Sequence, residues 1–291
     1  MAIRVYILKK SIMKSSVDEY LELKAEIKEK KRLEKQMNPE KTLEEKQKKD
    51  LRAVFISTSD TALQALEIAG ISYEGEIDLE DIEFCKVEAQ QKCICGNLHI
   101  PKLNDVLGEK MRMYFFANRK NIVIIDDEKF AEKLIKRIIA NRTKPGQSRE
   151  RFLYSFCIKF MDMDLDNLGR YEKKIMKIEE QITEDDLDEV TTEIALLRKE
   201  LLILREYYDE LHDFGKQLEE NENGFFAKKQ VKYFGVISDR ADRLMSKASQ
   251  LLEYAQQVRD AYKAQVDAQQ NNNMQFLTVI STIFFPLTLI T

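Results

Sequence analysis

The sequence predicts an α+β fold, in which an N-terminal α/β domain is followed by long antiparallel helices and one very long stalk helix. Three observations support this. Short apolar runs typical of strands alternate with helical patterns only over residues 1–146. From residue 147 onward, apolar residues recur at helical spacing almost to the end. The 291 residues include only nine Gly and four Pro, so few residues interrupt long helices.

The N-terminal domain, residues 1–146, combines strand and helix signals. Runs of β-branched and aromatic residues predict strands over 3–8 and 53–58, and a hairpin over 111–126. The first predicted helix spans 17–37 and ends at a break at Asn38-Pro39, and a shorter helix follows before residue 53. A third begins with Ser59 or Asp60 as its N-cap and stops at Gly70. A fourth spans 128–141.

An acidic helical hairpin, residues 147–226, is predicted to follow the boundary sequence KPGQS at 144–148. Its first helix is expected over about 149–182 and its second as far as about residue 220. The connecting segment TEDDLDE, residues 183–189, reads as an acidic turn.

A long stalk helix is predicted over residues 227–274, with its pattern continuing toward the C-terminus. Apolar residues in alternating steps of three and four form a seam that needs partner helices to bury it. The seam consists of Phe234, Ile237, Ala241, Leu244, Ala248, Leu251, Ala255, Val258 and Tyr262. It then becomes polar at Gln265, Gln269 and Asn272, which suits a bundle that surrounds water better than a dry one.

The last segment, residues 275–291, is uniformly apolar, and no charged residue occurs from Ala268 onward. The 16 residues from Phe276 are fewer than the ~20 that a helix needs to cross a bilayer. We therefore expect the start of a membrane helix that is incomplete in this chain. The alternative is an amphipathic terminus buried in a soluble core, but this run is apolar on every face.

Composition and motifs argue against several other classes. The net charge of −4 gives no basic field for nucleic acid, and runs such as KEKKRLEK (28–35) read as a solvated helix face. The N-terminus lacks the pattern of a secretory signal, so we expect reduced thiols and a cytosolic location for most of the chain. No phosphate-binding loop or nucleophile motif occurs, and His99 and His212 are far apart, so an enzyme is not expected.

Two apparent metal motifs are weak. Cys85, Cys93, Cys95 and His99 lack the spacing of common zinc sites, so small core cysteines are the better interpretation. The run Asp162, Asp164, Asp166 imitates the start of a calcium-binding loop, but it lacks the Gly and Glu that the loop requires later.

The apolar end resembles the first membrane helix of the CorA family of magnesium transport channels. The resemblance rests on Met274-x-x-Leu277-Thr278, followed by Phe284-x-Pro286-Leu287-Thr288-x-Ile290. Upstream, an α/β domain, a hairpin with an acidic tip and a long stalk helix follow the family's order, the CorA-like funnel. In that family the next residues form the signature loop Gly-x-Tyr-Gly-Met-Asn and then a second membrane helix. We therefore expect the ion-selecting loop to lie beyond Thr291.

The resemblance implies a homopentamer in the cell membrane, multi-pass, with this portion mostly cytoplasmic. Mg²⁺, with Co²⁺ as a second ion, is the expected cargo, and Mg²⁺ the expected regulatory ion. Asn271, Met274, Leu277 and Thr288 match the family's pore-lining positions, and Phe285 falls where Met is common. Ser281 shares their face by its spacing.

The same face, projected back along the helix, reaches Asp267 and Asp260, which under five-fold symmetry would become rings at the pore mouth. Carboxylate and amide oxygens suit hydrated Mg²⁺, and apolar rings suit a gate that closes by dewetting. The resemblance also implies regulatory acidic sites between subunits. The usual acidic position aligns with Val236, so Asp239 and Asp242 are the candidate regulatory ligands. Glu80, Asp81 and Glu83 are possible partners from the α/β domain.

The predicted function is that of a subunit of a passive divalent-cation channel with a cytosolic metal-sensing domain. One alternative is a coiled-coil scaffold anchored by its tail, without transport activity. Another is a zinc-transporting relative, because a close branch of the family carries a variant signature loop.

Overall fold

A computed structural model describes residues 3–9, 11–37, 51–140, 148–183 and 190–290, without the side chains of 34–37, 183 and 286–290. Several predicted features lie outside the described residues: the Asn38-Pro39 break, the short helix before residue 53, the boundary at 144–147, and the acidic turn at 184–189.

The described residues form seven strands, one short 3-10 turn and seven α-helices. The strands are β1 (Arg4–Leu8), β2 (Ile12–Ser15), β3 (Ala53–Ser57), β4 (Lys86–Ala89), β5 (Ile94–Ile100), β6 (Met111–Ala117) and β7 (Ile122–Ile125). The helices are α1 (Val17–Met37), α2 (Ala62–Ala69), α3 (Phe130–Ala140), α4 (Arg149–Phe160), α5 (Asp164–Thr183), α6 (Val190–Glu220) and α7 (Lys232–Ile290), and the 3-10 turn Ser59–Thr61 precedes α2.

The chain divides into two compact units. The first comprises Met1–Asp164 and Glu206–Met245, and the second comprises Leu165–Arg205 and Ser246–Thr291. The first unit is the α+β part, with the whole sheet and the segments of α6 and α7 that pack in it. The second unit is helical.

The first unit is built on a mixed sheet with strand order β2-β1-β3-β7-β6-β5-β4. Among the described strands only β3 and β7 pair in parallel, with Val54 opposite Ile122. All residues of these two central strands are buried. Such continuous apolar strands are expected where a sheet is covered on both faces.

Successive residues of β3 and β7 face opposite sides of the sheet. Phe55 and Val123 pack in a core with Tyr20 of α1 and Leu66 of α2. The Phe115 ring of β6 lies 5.6 Å from the Phe214 ring of α6, so the C-terminal part of α6 packs on the sheet within this unit.

The predicted strands β1, β3 and the β6–β7 hairpin are confirmed, as are the helix at 17–37 and the stop at Gly70. Gly70 has φ +68°, and its N–H donates to the Glu67 carbonyl at 3.0 Å, which closes α2. The predicted N-cap is wrong: Ser59 and Asp60 lie in the 3-10 turn, and α2 follows Thr61. Strands β2, β4 and β5 were not predicted.

The expected continuous helix over 149–182 is wrong, because the chain bends between α4 and α5 at residues 161–163. Arg240 stabilises the bend. It donates to the Met161 carbonyl at 3.1 Å and lies 3.7 Å from the Asp162 carboxylate. The long helix also begins later than expected, at Lys232, because residues 227–234 first form i→i+3 turns such as Gln230 N–H to Ala227 O at 2.7 Å.

The predicted seam of the long helix is buried from Phe234 to Val258, and Tyr262 is half-buried. The helices that cover it belong to the same chain. In the first unit α6 and α7 run antiparallel: Gly215 lies against Ser238, and Glu219 lies against Gly235.

In the second unit α5 and α7 run parallel. Lys247 binds Glu172 at 3.0 Å, and the Tyr254 hydroxyl donates to Glu179 at 2.5 Å, so each α7 residue meets the α5 residue 75 positions earlier. The seam residues of this unit are buried together with Leu168, Ile175, Ile178, Ile194, Leu197 and Leu201.

Candidate functional site

The six predicted pore-lining residues lie on one uninterrupted helix, because α7 continues to Ile290. At about 100° per residue, Asn271, Met274, Leu277, Ser281, Phe285 and Thr288 fall within about 120° of each other around its axis. The side chain of Thr288 is outside the described part of the chain. In the second unit this face lies away from the buried seam, since Asp260 is about 160° from Val258 around the helix.

This face is exposed along its described length. Met274 is 65% exposed, Leu277 60% and Phe285 72%, and Asn271 and Ser281 are exposed as well. Neighbouring apolar side chains off this face, such as Phe276 and Phe284, are also exposed. The segment therefore presents apolar surface on all sides, which a water-soluble surface rarely does.

Threonine hydroxyls in the segment donate hydrogen bonds to backbone carbonyls of the same helix. Thr278 donates to the Met274 carbonyl and Thr282 donates to the Thr278 carbonyl, each at 2.7 Å. Such bonds let a polar side chain lie in an apolar environment. No helix of the described residues is both long enough and apolar enough to cross a membrane. The partial membrane helix therefore stays a prediction.

Asp260 and Asp267 are exposed carboxylates that lie about four and about two helical turns, respectively, before the apolar segment. Gln256 donates to both carboxylate oxygens of Asp260 at 2.9 Å, and Arg259 lies at 3.6 Å. The hydrogen bond from Gln256, and then the positive charges of Arg259 and Lys263, lower the pKa of Asp260. Asp260 is therefore an anion at neutral pH, as a cation-attracting position requires.

Asp239 and Asp242 are exposed residues of α7 in the first unit. Val236, at the position where the resemblance implies an acidic residue, is 40% exposed. Among the described residues, no three His, Cys, Asp or Glu side chains of one chain come together as metal ligands. The regulatory site therefore stays a prediction. It would have to be completed by another copy of the chain.

The four cysteines lie in the core, as predicted. Cys85, Cys93, Cys95 and Cys157 are buried, and burial raises the pKa of Cys85 and Cys157. The His99 N–H donates to the Cys85 sulfur at 3.2 Å, and the His99 ring contacts the Glu83 carbonyl. These groups pack β5 against the chain before β4.

Comparison with known proteins places these features in a family. Residues 54–291 match the sequence profile described as CorA-like Mg²⁺ transporter protein. The chain is 26% identical over 175 residues to the cobalt/magnesium transport protein CorA of Thermotoga maritima, which covers 59% of this chain and 50% of that protein. The chain thus spans about half the length of this curated relative.

Two solved structures share the fold. The full-length CmaX protein aligns over 100% of this chain and 85% of its own, with a TM-score of 0.64 and 14% identity. The soluble domain of CorA from Methanocaldococcus jannaschii aligns over 90% of this chain and 97% of its own, with a TM-score of 0.60 and 13% identity. The match of a soluble CorA domain confirms the predicted fold class.

Proposed function

This chain belongs to the CorA-like Mg²⁺ transporter family, and on that premise we propose that it is a subunit of a passive divalent-cation channel. The proposed cargo is Mg²⁺, with Co²⁺ as a second ion. The proposed assembly is a homopentamer in the cell membrane, with most of this chain in the cytoplasm.

The observation that carries the proposal is the exposed face of α7 within the family match. This face is free of charge from Ala268 onward and combines one amide, Asn271, with Met274, Leu277 and Phe285. When copies of the chain assemble around an axis, the amides become a ring for hydrated cations, and the apolar residues become a constriction that opens and closes by wetting. Mg²⁺ keeps several waters when bound, so an amide ring suits it.

The acidic residues before this face extend the proposal. Asp260 and Asp267 would concentrate cations at the pore mouth by their negative charge. Asp239 and Asp242 would bind cytosolic Mg²⁺ between copies and favour the closed state, and their mutual repulsion would favour the open state when Mg²⁺ is removed.

The test is uptake of Mg²⁺ by vesicles that contain the natural full-length polypeptide, measured with an enclosed Mg²⁺-sensitive dye under an inside-negative potential. We expect uptake without ATP. Asn271→Trp should reduce the rate at least about tenfold, because five indoles would fill the ring. Asn273→Trp is the matched control, since its side chain projects about 160° from that of Asn271 around the helix.

Other outcomes would overturn parts of the proposal. An absence of flux for Mg²⁺, Co²⁺ and Zn²⁺ would favour a tail-anchored scaffold, and flux of Zn²⁺ alone would favour a zinc-transporting relative. Equal loss in the Asn271 and Asn273 variants would contradict the assignment of the pore face. In the same vesicles, Asp239→Asn with Asp242→Asn should make the flux insensitive to Mg²⁺ inside the vesicle, where the cytosolic domain faces the lumen.

A further inference from the structure

The first unit contains a cavity of about 680 Å³ that the proposed transport function does not use. It lies between α1, the end of α2, the β6–β7 turn and the segment before α7. This volume is typical of sites for small organic ligands. Its lining includes six cationic side chains, Lys24, Lys28, Lys31, Lys92, Arg119 and Lys120, and no Asp or Glu among the residues that the structure describes. That charge is unusual in a chain whose net charge is −4.

Helix α1 carries its charges on opposite sides. At about 100° per residue, Lys24, Lys28 and Lys31 fall within about 60° of each other. The acidic residues Glu22 and Glu26 project from the opposite side of the helix. A purely solvated helix would gain nothing from this segregation, because mixed charges at i and i+4 stabilise it better. The basic side is the side that lines the cavity, together with Ile27.

A buried arginine behind the lining holds two of the lining residues in place. Arg149 is buried, and its guanidinium donates to the Asn118 carbonyl and, at 2.9 Å, to the Phe225 carbonyl. Asn118 and Phe225 both line the cavity. Burial lowers the pKa of Arg149 to about 10; Glu150 opposes this, and the charges of Arg52 and Arg119 add to it. Because Arg149 is paired with the buried Glu150 at 3.5 Å, the positive potential of the cavity comes from its lining cations.

The rest of the lining combines apolar and aromatic side chains with Ser72, Asn118 and Asn121. Phe225 is half-exposed, and the Arg119 guanidinium lies 5.5 Å from its ring centre. The neighbouring wall is fixed by Asn121, whose amide donates to the Tyr20 hydroxyl at 3.0 Å and to the Ala69 carbonyl at 2.8 Å. An aromatic ring under an arginine is a platform on which a planar base can stack.

We propose that this cavity binds a nucleoside polyphosphate, with the phosphates on the lysines of α1 and of the β6–β7 turn and the base against Phe225. Multiple cations match a chain of phosphates, and the aromatic and apolar wall matches a base. The inference does not depend on the transport function, because every lining residue belongs to the first unit.

The test is isothermal titration of the purified chain with ATP in buffer containing EDTA, so that Mg²⁺ plays no part. We expect binding that weakens as salt rises, because exposed charges are screened. Lys28→Gln with Arg119→Gln should weaken ATP binding at least about tenfold, since charge-assisted contacts to phosphate are stronger than neutral ones. Lys30→Gln with Arg32→Gln is the matched control, because it removes two cations of the same region that do not line the cavity.

A second variant separates base from phosphate. Phe225→Leu keeps every charge, and it should weaken ATP binding several-fold while leaving tripolyphosphate binding unchanged. Tripolyphosphate binding as tight as ATP binding would overturn the nucleoside assignment, and so would tight binding of adenosine alone. Equal losses in the Lys28/Arg119 and Lys30/Arg32 variants, with both folded by circular dichroism, would overturn the site. So would an absence of ATP binding at millimolar concentration.

Discussion

Asp164 is a buried carboxyl group at the start of α5, with 1% of its surface exposed. Burial raises its pKa from 3.8 to about 7, although a hydrogen bond with Tyr208 and the charge of Arg240 act in the opposite direction. Because the folded state holds this proton more tightly than the unfolded state, Asp164 makes stability fall as pH rises from about 4 to about 7. The unfavourable contribution at pH 8 is a few kcal/mol, at about 1.36 kcal/mol per pKa unit.

We expect Asp164→Asn to remove that pH dependence and to be more stable than the wild type at pH 8. Urea denaturation between pH 4.5 and pH 8, followed by circular dichroism, measures it. The matched control is Asp166→Asn, which removes an exposed carboxylate from the same helix. A difference between Asp164→Asn and wild type that stays constant over this pH range would contradict the assignment.

At the scale of elements, one distant side chain adds to the local hydrogen bonds of the bend between α4 and α5, where the Asp164 N–H also donates to the Met161 carbonyl at 3.3 Å. Arg240 of α7 holds the Met161 carbonyl, and Met161 is fully buried. Arg240→Ala leaves that carbonyl without its charged donor, so we expect a loss of about 1–3 kcal/mol in the free energy of unfolding.

Urea denaturation of Arg240→Ala against Arg243→Ala tests this, because Arg243 is exposed on the next turn of the same helix. An equal, small effect of the two changes would mean that the bend is stable without Arg240.

The antiparallel packing of α6 and α7 depends on a glycine. A Cβ on Gly215 would lie 2.7 Å from the backbone nitrogen of Ser238, which cannot move without moving α7. We therefore expect Gly215→Ala to destabilise the protein by about 1–3 kcal/mol.

Gly169 of α5 is the matched control, because a Cβ there meets no atom within 4 Å. Gly169→Ala should stabilise the helix by up to about 1 kcal/mol, since alanine loses less backbone entropy than glycine. Thermal unfolding of both variants gives opposite signs if the close approach is real, and the same sign if it is not.

Local patterns predicted the elements that carry strong local signals. Helix α1 begins and ends where its periodicity does, and Gly70 ends α2 because a left-handed cap is a local requirement. The α4–α5 bend escaped prediction because helical spacing continues through it and its cause, Arg240, is 79 residues away. Strand β5 escaped because Gly96 and Asn97 weaken its pattern. Gly96 is required by the Phe115 ring, which would lie 2.3 Å from a Cβ.

The candidate pore face was predictable because it lies on one helix, where spacing alone decides which residues share a side. The basic cavity could not be predicted from the sequence. The segment at 28–35 was interpreted as a solvated face, since nothing in α1 shows that Lys92 and Arg119 will meet it across the fold.

At the scale of the whole molecule, exposed apolar surface concentrates at one end of the chain. Of the described large apolar side chains that are exposed, seven lie between residues 274 and 285: Met274, Phe276, Leu277, Val279, Ile283, Phe284 and Phe285. A contiguous patch of this kind marks a surface that contacts either lipid or another protein. The proposed channel requires both, with lipid outside and other copies inside.

We expect the chain to sediment with vesicles of phosphatidylcholine and phosphatidylglycerol. Replacing Phe276, Ile283 and Phe284 with Ser should weaken that partitioning at least about 100-fold, because each of these side chains contributes about 1.5–3 kcal/mol on burial. The matched control replaces three apolar side chains that are exposed elsewhere, Leu63, Phe84 and Met163, with Ser.

Sedimentation equilibrium without lipid separates the two roles of the patch. If the same three changes abolish self-association but leave vesicle binding intact, the segment contacts other copies and not lipid, which contradicts a membrane helix. If the control variant loses vesicle binding equally, non-specific contact by exposed apolar side chains explains the binding. The channel proposal requires that vesicle binding is lost only when residues of α7 are changed, because α7 is the helix of this chain that reaches the bilayer in the proposed channel.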